Sequence, residues 1–196
     1  MRKIATLFSI GMLLYTKLVS QEIPPAPADK AVVYFVRTSG LGFAINFSYL
    51  DSATLIAKTN GTNYVRYECP PGNHLFWART ENRDYVEAEL EAGKIYFLEA
   101  VPTMGAIRAA VQLRPVDPSK ADVMKRIFKL MDKKKPETPG PEELKKESEE
   151  MQEVITRGLE KYKEEKEKGE KTRSPGKTHV LHSQKLIGIF ECISHN

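Results

Sequence analysis

From Ala31 to Val116 the apolar positions recur at a period of two or in short unbroken runs, and each run ends at a turn signal. AVVYFVR (31–37) is almost entirely β-branched or aromatic, the pattern of a strand buried on both faces. AINFSYL (44–50) and ATLIAKT (53–59) flank Asp51-Ser52, a turn pair. Asn60-Gly61 predicts a type I′ hairpin turn, because both residue types tolerate positive φ. In NYVRYEC (63–69), Val65, Tyr67 and Cys69 share one face. Pro70-Pro71-Gly72 stops that strand, and HLFWART (74–80) begins the next. Glu81-Asn82-Arg83-Asp84 reads as a polar turn. YVEAELE (85–91) places Val86, Ala88 and Leu90 inward and Glu87, Glu89 and Glu91 outward. Ala92-Gly93 turns into KIYFLEAVP (94–102), and IRAAVQLRPV (107–116) alternates again. About eight short strands at this spacing predict a mainly β chain, an antiparallel sandwich or open barrel.

The period then changes to that of a helix. In 117–132, Ala121, Met124, Ile127, Phe128 and Met131 lie on one face, with Asp117 as the expected N-cap and Pro118 at the first helical position. This predicts a short amphipathic helix packed on the sandwich, making 29–132 the expected folding unit. Residues 133–141 read as a linker. Residues 142–172 are dominated by Glu and Lys in acid-first i,i+4 pairs, which predicts a solvated helix. Its thin seam of Leu144, Met151, Ile155 and Tyr162 is interrupted by Ser148 and Gly158, and a coiled-coil contact is the sharper alternative. Residues 173–196 form a tail.

Residues 1–20 carry Arg2 and Lys3, a short apolar run from Ile4 to Tyr15, and Ser20 before Gln21, the order of an export signal. The run is too short to span a bilayer, and no transmembrane span is expected after cleavage. No cysteine lies near the cut, so no lipid anchor is expected. Residues 21–28, QEIPPAPA, read as an extended proline-rich leader. The chain holds 30 Lys and Arg against 26 Asp and Glu; without Arg2, Lys3 and Lys17 the balance is 27 against 26. That near-neutrality gives no electrostatic case for nucleic acid. With only Cys69 and Cys192, a disulfide-dense scaffold is excluded, and Cys69 is expected to be a buried free thiol.

The order of these motifs carries a resemblance. The strand AVVYFVR, then Asn60-Gly61-Thr62-Asn63-Tyr64, Pro70-Pro71-Gly72-Asn73-His74 and Ala92-Gly93-Lys94-Ile95-Tyr96-Phe97, resemble the bacterial exported-protein family catalogued as domain of unknown function twenty-eight forty-six. PEGA-type domains show a similar PG-turn logic. The resemblance covers about residues 29–116. It implies a small β-sandwich, frequently lipid-anchored, without an established enzymatic activity. The charged C-terminal extension lies outside that pattern.

The residues of those motifs have structural uses of their own. Asn60 and Gly61, Pro70, Pro71 and Gly72, and Gly93 set turns and strand register. The search for chemistry finds no nucleophile elbow, no HExxH, no phosphate loop and no dinucleotide fingerprint. Ser39-Gly40-Leu41-Gly42 reads as a flexible loop between strands. Glu87, Glu89 and Glu91 read as a solvated strand face, and His74 as a half-buried histidine capping the Pro-Pro-Gly turn. The aromatic strand residues are assigned to packing, with an exposed strip for glycan or peptide as the alternative. His179, His182, Cys192 and His195 are the one metal-like constellation, suited in ligand type to zinc. The expected function is a non-enzymatic exported module, periplasmic or secreted, binding an envelope protein or glycan, with no cofactor. The alternatives are an adaptor acting through the charged helix, or a metal-binding or hydrolytic protein using the tail.

Overall fold

The computed structural model describes residues 23–104 and 109–169. The eight strands are β1 (Ala31–Arg37), β2 (Phe47–Asp51), β3 (Thr54–Thr59), β4 (Asn63–Cys69), β5 (Gly72–Arg79), β6 (Arg83–Leu90), β7 (Ile95–Met104) and β8 (Ala109–Pro115). Three helices follow: α1 (Ala121–Lys133), α2 (Pro141–Glu150) and α3 (Gln152–Glu167). One sheet has the order β4-β1-β7-β8 and the other β3-β2-β5-β6, and the two pack as a sandwich. The mainly β expectation therefore holds. One neighbouring pair is parallel: β1 runs beside β7 with Val32 opposite Ile95 and Val36 opposite Glu99. The chain visits the second sheet and returns to the first before β7, so no crossover helix is needed.

Period-two patterning puts Val33, Phe35, Val65, Cys69, Phe76, Val86, Leu98 and Leu113 between the sheets. The residues that alternate with them are also apolar, so each sheet needs a second cover. On the first sheet, Val32, Tyr34, Val36, Tyr64 and Phe97 meet Met124, Ile127, Phe128 and Met131 of α1, as the helical spacing predicts. On the second, Leu50, Leu55, Trp77 and Tyr85 meet Met151 and Ile155, with Leu144, Leu159 and Tyr162 at the margin.

That second cover corrects the reading of the charged segment. It is not a solvated helix but two helices, divided at Met151, lying on the sandwich. The seam Leu144, Met151, Ile155 and Tyr162 is real, and its partner is the chain's own sheet. Gly158 does not weaken the seam; it is the point of closest approach. A Cβ there would lie 2.6 Å from Trp77 Cη2, and the Gly158 carbonyl accepts a 2.6 Å hydrogen bond from the Tyr85 hydroxyl. Glu87 is not simply solvated either: it accepts from the Tyr162 hydroxyl at 2.5 Å and from Lys166 Nζ at 2.8 Å. The segment read as a linker also docks, since Glu137 N–H donates to the Tyr64 carbonyl and Glu137 bridges to Val65 on edge strand β4. The folded unit thus extends past Asp132 to include α3.

Three local expectations change for identifiable reasons. Asn60-Gly61 is not a hairpin turn, because β3 and β4 belong to different sheets. Gly61 has φ +65° while Asn60 does not enter positive φ, and Asn63 Nδ2 donates to the Asn60 carbonyl to shape the crossing. Asp117 is not the helix cap. It accepts from Ser119 N–H at 2.9 Å in a preceding turn, and α1 starts at Ala121 with no side-chain cap. Arg83 and Asp84 belong to β6 rather than to a turn. Asp84 accepts from Leu113 N–H, and Asn82 exchanges two bonds with Val111, so the edge of one sheet is sewn to the other. The export signal of 1–20 and the tail of 173–196 lie outside the described residues. Among the described residues no helix is long and apolar enough to cross a membrane.

Two outcomes test the docked helix. Gly158→Ala raises intrinsic helix propensity by about 1 kcal/mol, yet it is expected to destabilise the protein by about 1–3 kcal/mol as the methyl meets the immobile Trp77 ring. The measurements are thermal unfolding and Trp77 fluorescence, and a stabilised variant would place α3 elsewhere. Glu87 has its pKa lowered, first by Lys166 and then by the Tyr162 hydroxyl. Its contribution is therefore complete above the unfolded carboxylate pKa and lost as pH falls through the lower folded value. Glu87→Gln should be less stable than the parent at neutral pH, and the difference should vanish as pH falls through the lowered folded pKa.

Candidate functional site

The ends of the sandwich differ in kind. At one end, the β2–β3 turn, the Pro-Pro-Gly crossing and the β6–β7 turn come together. His74 Nδ1 lies 2.7 Å from Asp51 Oδ2 and Nε2 lies 2.9 Å from the Pro70 carbonyl. Its ring stacks on Phe76 at 5.3 Å. The Tyr67 hydroxyl donates to the same Asp51 oxygen at 3.3 Å. The sequence reading of His74 as a half-buried cap on the Pro-Pro-Gly turn holds, and the carboxylate it lacked is supplied by the last residue of β2, twenty-three positions earlier.

This cluster resembles a catalytic dyad only in residue type. Both ring nitrogens are engaged by groups of the same domain, so neither presents itself to a substrate. Cys69, which is buried and free, points into the core beside this cluster. Burial first, and the Asp51 charge second, push its thiol up to about 12, which leaves it protonated and weakly nucleophilic at neutral pH.

The opposite end carries the loop 38–46, the crossing at 60–62, the 80–82 turn and segment 133–140. Here Arg37, the last residue of β1, is fully buried. It makes no ion pair among the described residues. Its guanidinium instead donates to three carbonyls of the loop: Ile45 at 2.9 Å, Leu41 at 3.0 Å and Gly42 at 2.6 Å. It also lies 3.9 Å over the centre of the Phe47 ring. Burial pulls its pKa down, but a guanidinium stays charged. A buried cation is costly unless its donors are used, so this one folds the loop around itself. Ile45 N–H returns to the Gly42 carbonyl at 2.9 Å, and Gly61 N–H donates to the Phe43 carbonyl at 2.8 Å.

The outcome is a shaped loop with apolar side chains outside it. Leu41 is 47% exposed and Phe43 is 73% exposed, the large hydrophobic residues so placed among the described residues. The flexible-loop reading of Ser39-Gly40-Leu41-Gly42 is corrected accordingly, and Arg37, read only as part of a strand, is the residue that the pattern missed. A cue was present: an arginine closing an otherwise apolar strand next to a glycine-containing loop. Beside the loop runs a polar cleft of about 230 Å³ lined by Asn46, Lys58, Thr59, Asn60, Glu137 and Glu143, among others.

The remaining expectations resolve simply. The aromatic strand residues Tyr34, Phe76, Trp77, Tyr85 and Tyr96 are buried, so they form no exposed strip. Gly61, Gly72 and Gly93 all take positive φ, and Pro70 contributes its carbonyl to His74. His179, His182, Cys192 and His195 lie outside the described residues. Among the described residues no group of three or more His, Cys, Asp or Glu side chains is arranged to hold a metal. No protein-family model matches the chain, and no curated protein matches it.

The Arg37 cage is testable. Lysine keeps the charge but cannot reach three carbonyls from one planar fork. Arg37→Lys is expected to cost on the order of 3 kcal/mol and to open 38–46 to limited proteolysis, while the α1 face stays protected. A variant with parental stability and an uncut loop would remove Arg37 from this role.

Proposed function

We propose that the protein is a non-enzymatic, exported binding module of the bacterial cell envelope, and that it makes contact through the end of the sandwich formed by loop 38–46. The observation that carries this reading is the exposure of Leu41 and Phe43 on a loop held by a fully buried arginine. Apolar side chains in water are ordinarily incidental when the backbone beneath them is loose. Here the backbone is fixed by charge-assisted bonds, which keeps two apolar groups presented rather than collapsed. Loops on a rigid scaffold are the usual place for recognition.

Support for export is the ordered basic, apolar and polar regions of residues 1–20. The adaptor reading loses its main support, because the apolar seam of the charged helices is consumed by Leu50, Trp77 and Tyr85. What those helices leave outside is a charged face of i,i+4 pairs such as Glu153–Arg157.

A photo-crosslinking amino acid placed at position 43, and as a control at Lys129 on α1, tests this in cells. The expected result is an N-terminus near Gln21 in the envelope fraction and adducts at position 43 that are absent at position 129. A chain retained in the cytoplasm with Met1 intact, or one with no adduct at position 43, would contradict it.

A further inference from the structure

We infer that loop 38–46 docks on an anionic lipid surface, Phe43 and Leu41 entering the headgroup boundary and basic groups on both flanks meeting the lipid charge. The inference rests on the proposed role of this loop and names its partner.

The placement comes from the topology. Phe47 opens β2 directly after the loop, and its neighbour Ser48 pairs with Arg79 of β5. Arg79 in turn stands opposite Arg83 of β6. Both arginines alternate with Trp77 and Tyr85, so they lie on the outer face of the second sheet, level with the loop. Neither makes an ion pair among the described residues. Partial burial first, and the Arg83 charge second, lower the Arg79 pKa, as expected of two guanidinium groups side by side with no counter-ion.

On the other flank, α1 ends in Lys133, followed by Lys134 and Lys135. Lys134 Nζ donates to the Thr62 carbonyl, which fixes this run beside the crossing at 60–62. Thr62 in turn adjoins the loop: a Cβ on Gly40 would lie 3.9 Å from Thr62 Cγ2. The carboxylates at this end include Glu81, Asp132 beside Lys133, Glu137, and Glu142 and Glu143 at the start of α2, while Glu99 is bonded to Thr38 and paired with Arg126, and Glu147 is paired with Lys58. Those carboxylates lie on the α1 and α2 side or in the 80–82 turn, whereas Arg79 and Arg83 stand opposite each other with no carboxylate paired to either among the described residues.

The chemistry favours a lipid surface over a protein pocket. The apolar tip is small, and an aromatic ring with a leucine beside it suits the interface between headgroups and acyl chains. Cations on both sides of the tip could reach a broad negative plane at once, each adding attraction within a Debye length.

The test uses the full chain carrying Phe43→Trp, with vesicles of phosphatidylcholine alone or with added phosphatidylglycerol, their acyl chains brominated as quenchers. Trp77 is fully buried and supplies the constant background. The expected result is a blue shift and quenching of the residue-43 signal on anionic vesicles only, diminished by salt. In otherwise unmodified chain, Arg79→Gln and Arg83→Gln are expected to weaken binding about fivefold each, and Leu41→Ser with Phe43→Ser at least tenfold. Flotation with vesicles without quenching at position 43 would overturn the inference, because another part of the chain would then be the attachment. A blue shift without lipid that grows with protein concentration would overturn it in favour of a second copy. Either result leaves the proposed function standing if position 43 still crosslinks to an envelope protein; loss of both signals removes the two together.

Discussion

Both sheets of this sandwich are apolar on both faces, and that single constraint dictates everything outside the central core. A sandwich normally solvates its outer faces, so alternate strand residues are polar. Here Val32, Tyr34 and Val36 alternate with Val33 and Phe35 within one strand, and all are buried. Trp77 and Tyr85 repeat the situation on the second sheet. Each larger side chain left exposed would forfeit roughly 1.5–3 kcal/mol, so the chain must supply covers from sequence beyond the strands. Helix α1 covers one face with its apolar side. Helices α2 and α3 cover the other with a thin seam, which suffices because Gly158 lets the helix backbone descend onto the Trp77 ring.

Once both faces are closed, the ends of the sandwich are the parts the helices do not cover, and the two ends are built differently. One is consumed internally: His74 spends both ring nitrogens on Asp51 and Pro70, and the Cys69 thiol is buried beneath. The other directs its strongest donor, Arg37, into its own loop and leaves Leu41 and Phe43 outside. A buried cation used to organise surface backbone is an expense that core packing does not require. The functional reading grows from this asymmetry.

Period and punctuation made the strands legible, because each residue's neighbours in sequence largely decide its face. Ala31–Arg37 and Asn63–Cys69 are read to the residue, and the face of α1 follows from its spacing. What was not legible depended on partners distant in sequence. Asn60-Gly61 has the local chemistry of a hairpin, but the neighbouring strands pair elsewhere. Gly158 reads as a flaw in a helix until Trp77 is found under it. Asp51 ends β2 and His74 lies near the start of β5, and nothing in their spacing reveals that these two strands are neighbours. A segment rich in Glu and Lys reads as solvated, because a seam of four apolar positions does not reveal that the adjoining sheet is apolar on its outside. Ser39-Gly40-Leu41-Gly42 reads as flexible and residues 44–46 read as strand for the same reason: the loop runs on to Phe47, and three of its carbonyls are satisfied by one side chain that pattern assigns to a strand.

Amide hydrogen exchange at Ile45 and Gly61 in the full-length protein tests the central claim most directly, namely that the loop is a fixed surface held by Arg37. Their N–H groups donate to the Gly42 and Phe43 carbonyls, inside the loop and across to it. The account predicts protection approaching that of the sandwich strands, collapsing selectively when Arg37 is replaced. Exchange at the rate of an unstructured peptide in the parent protein would show that the loop is not preorganised and would contradict the account.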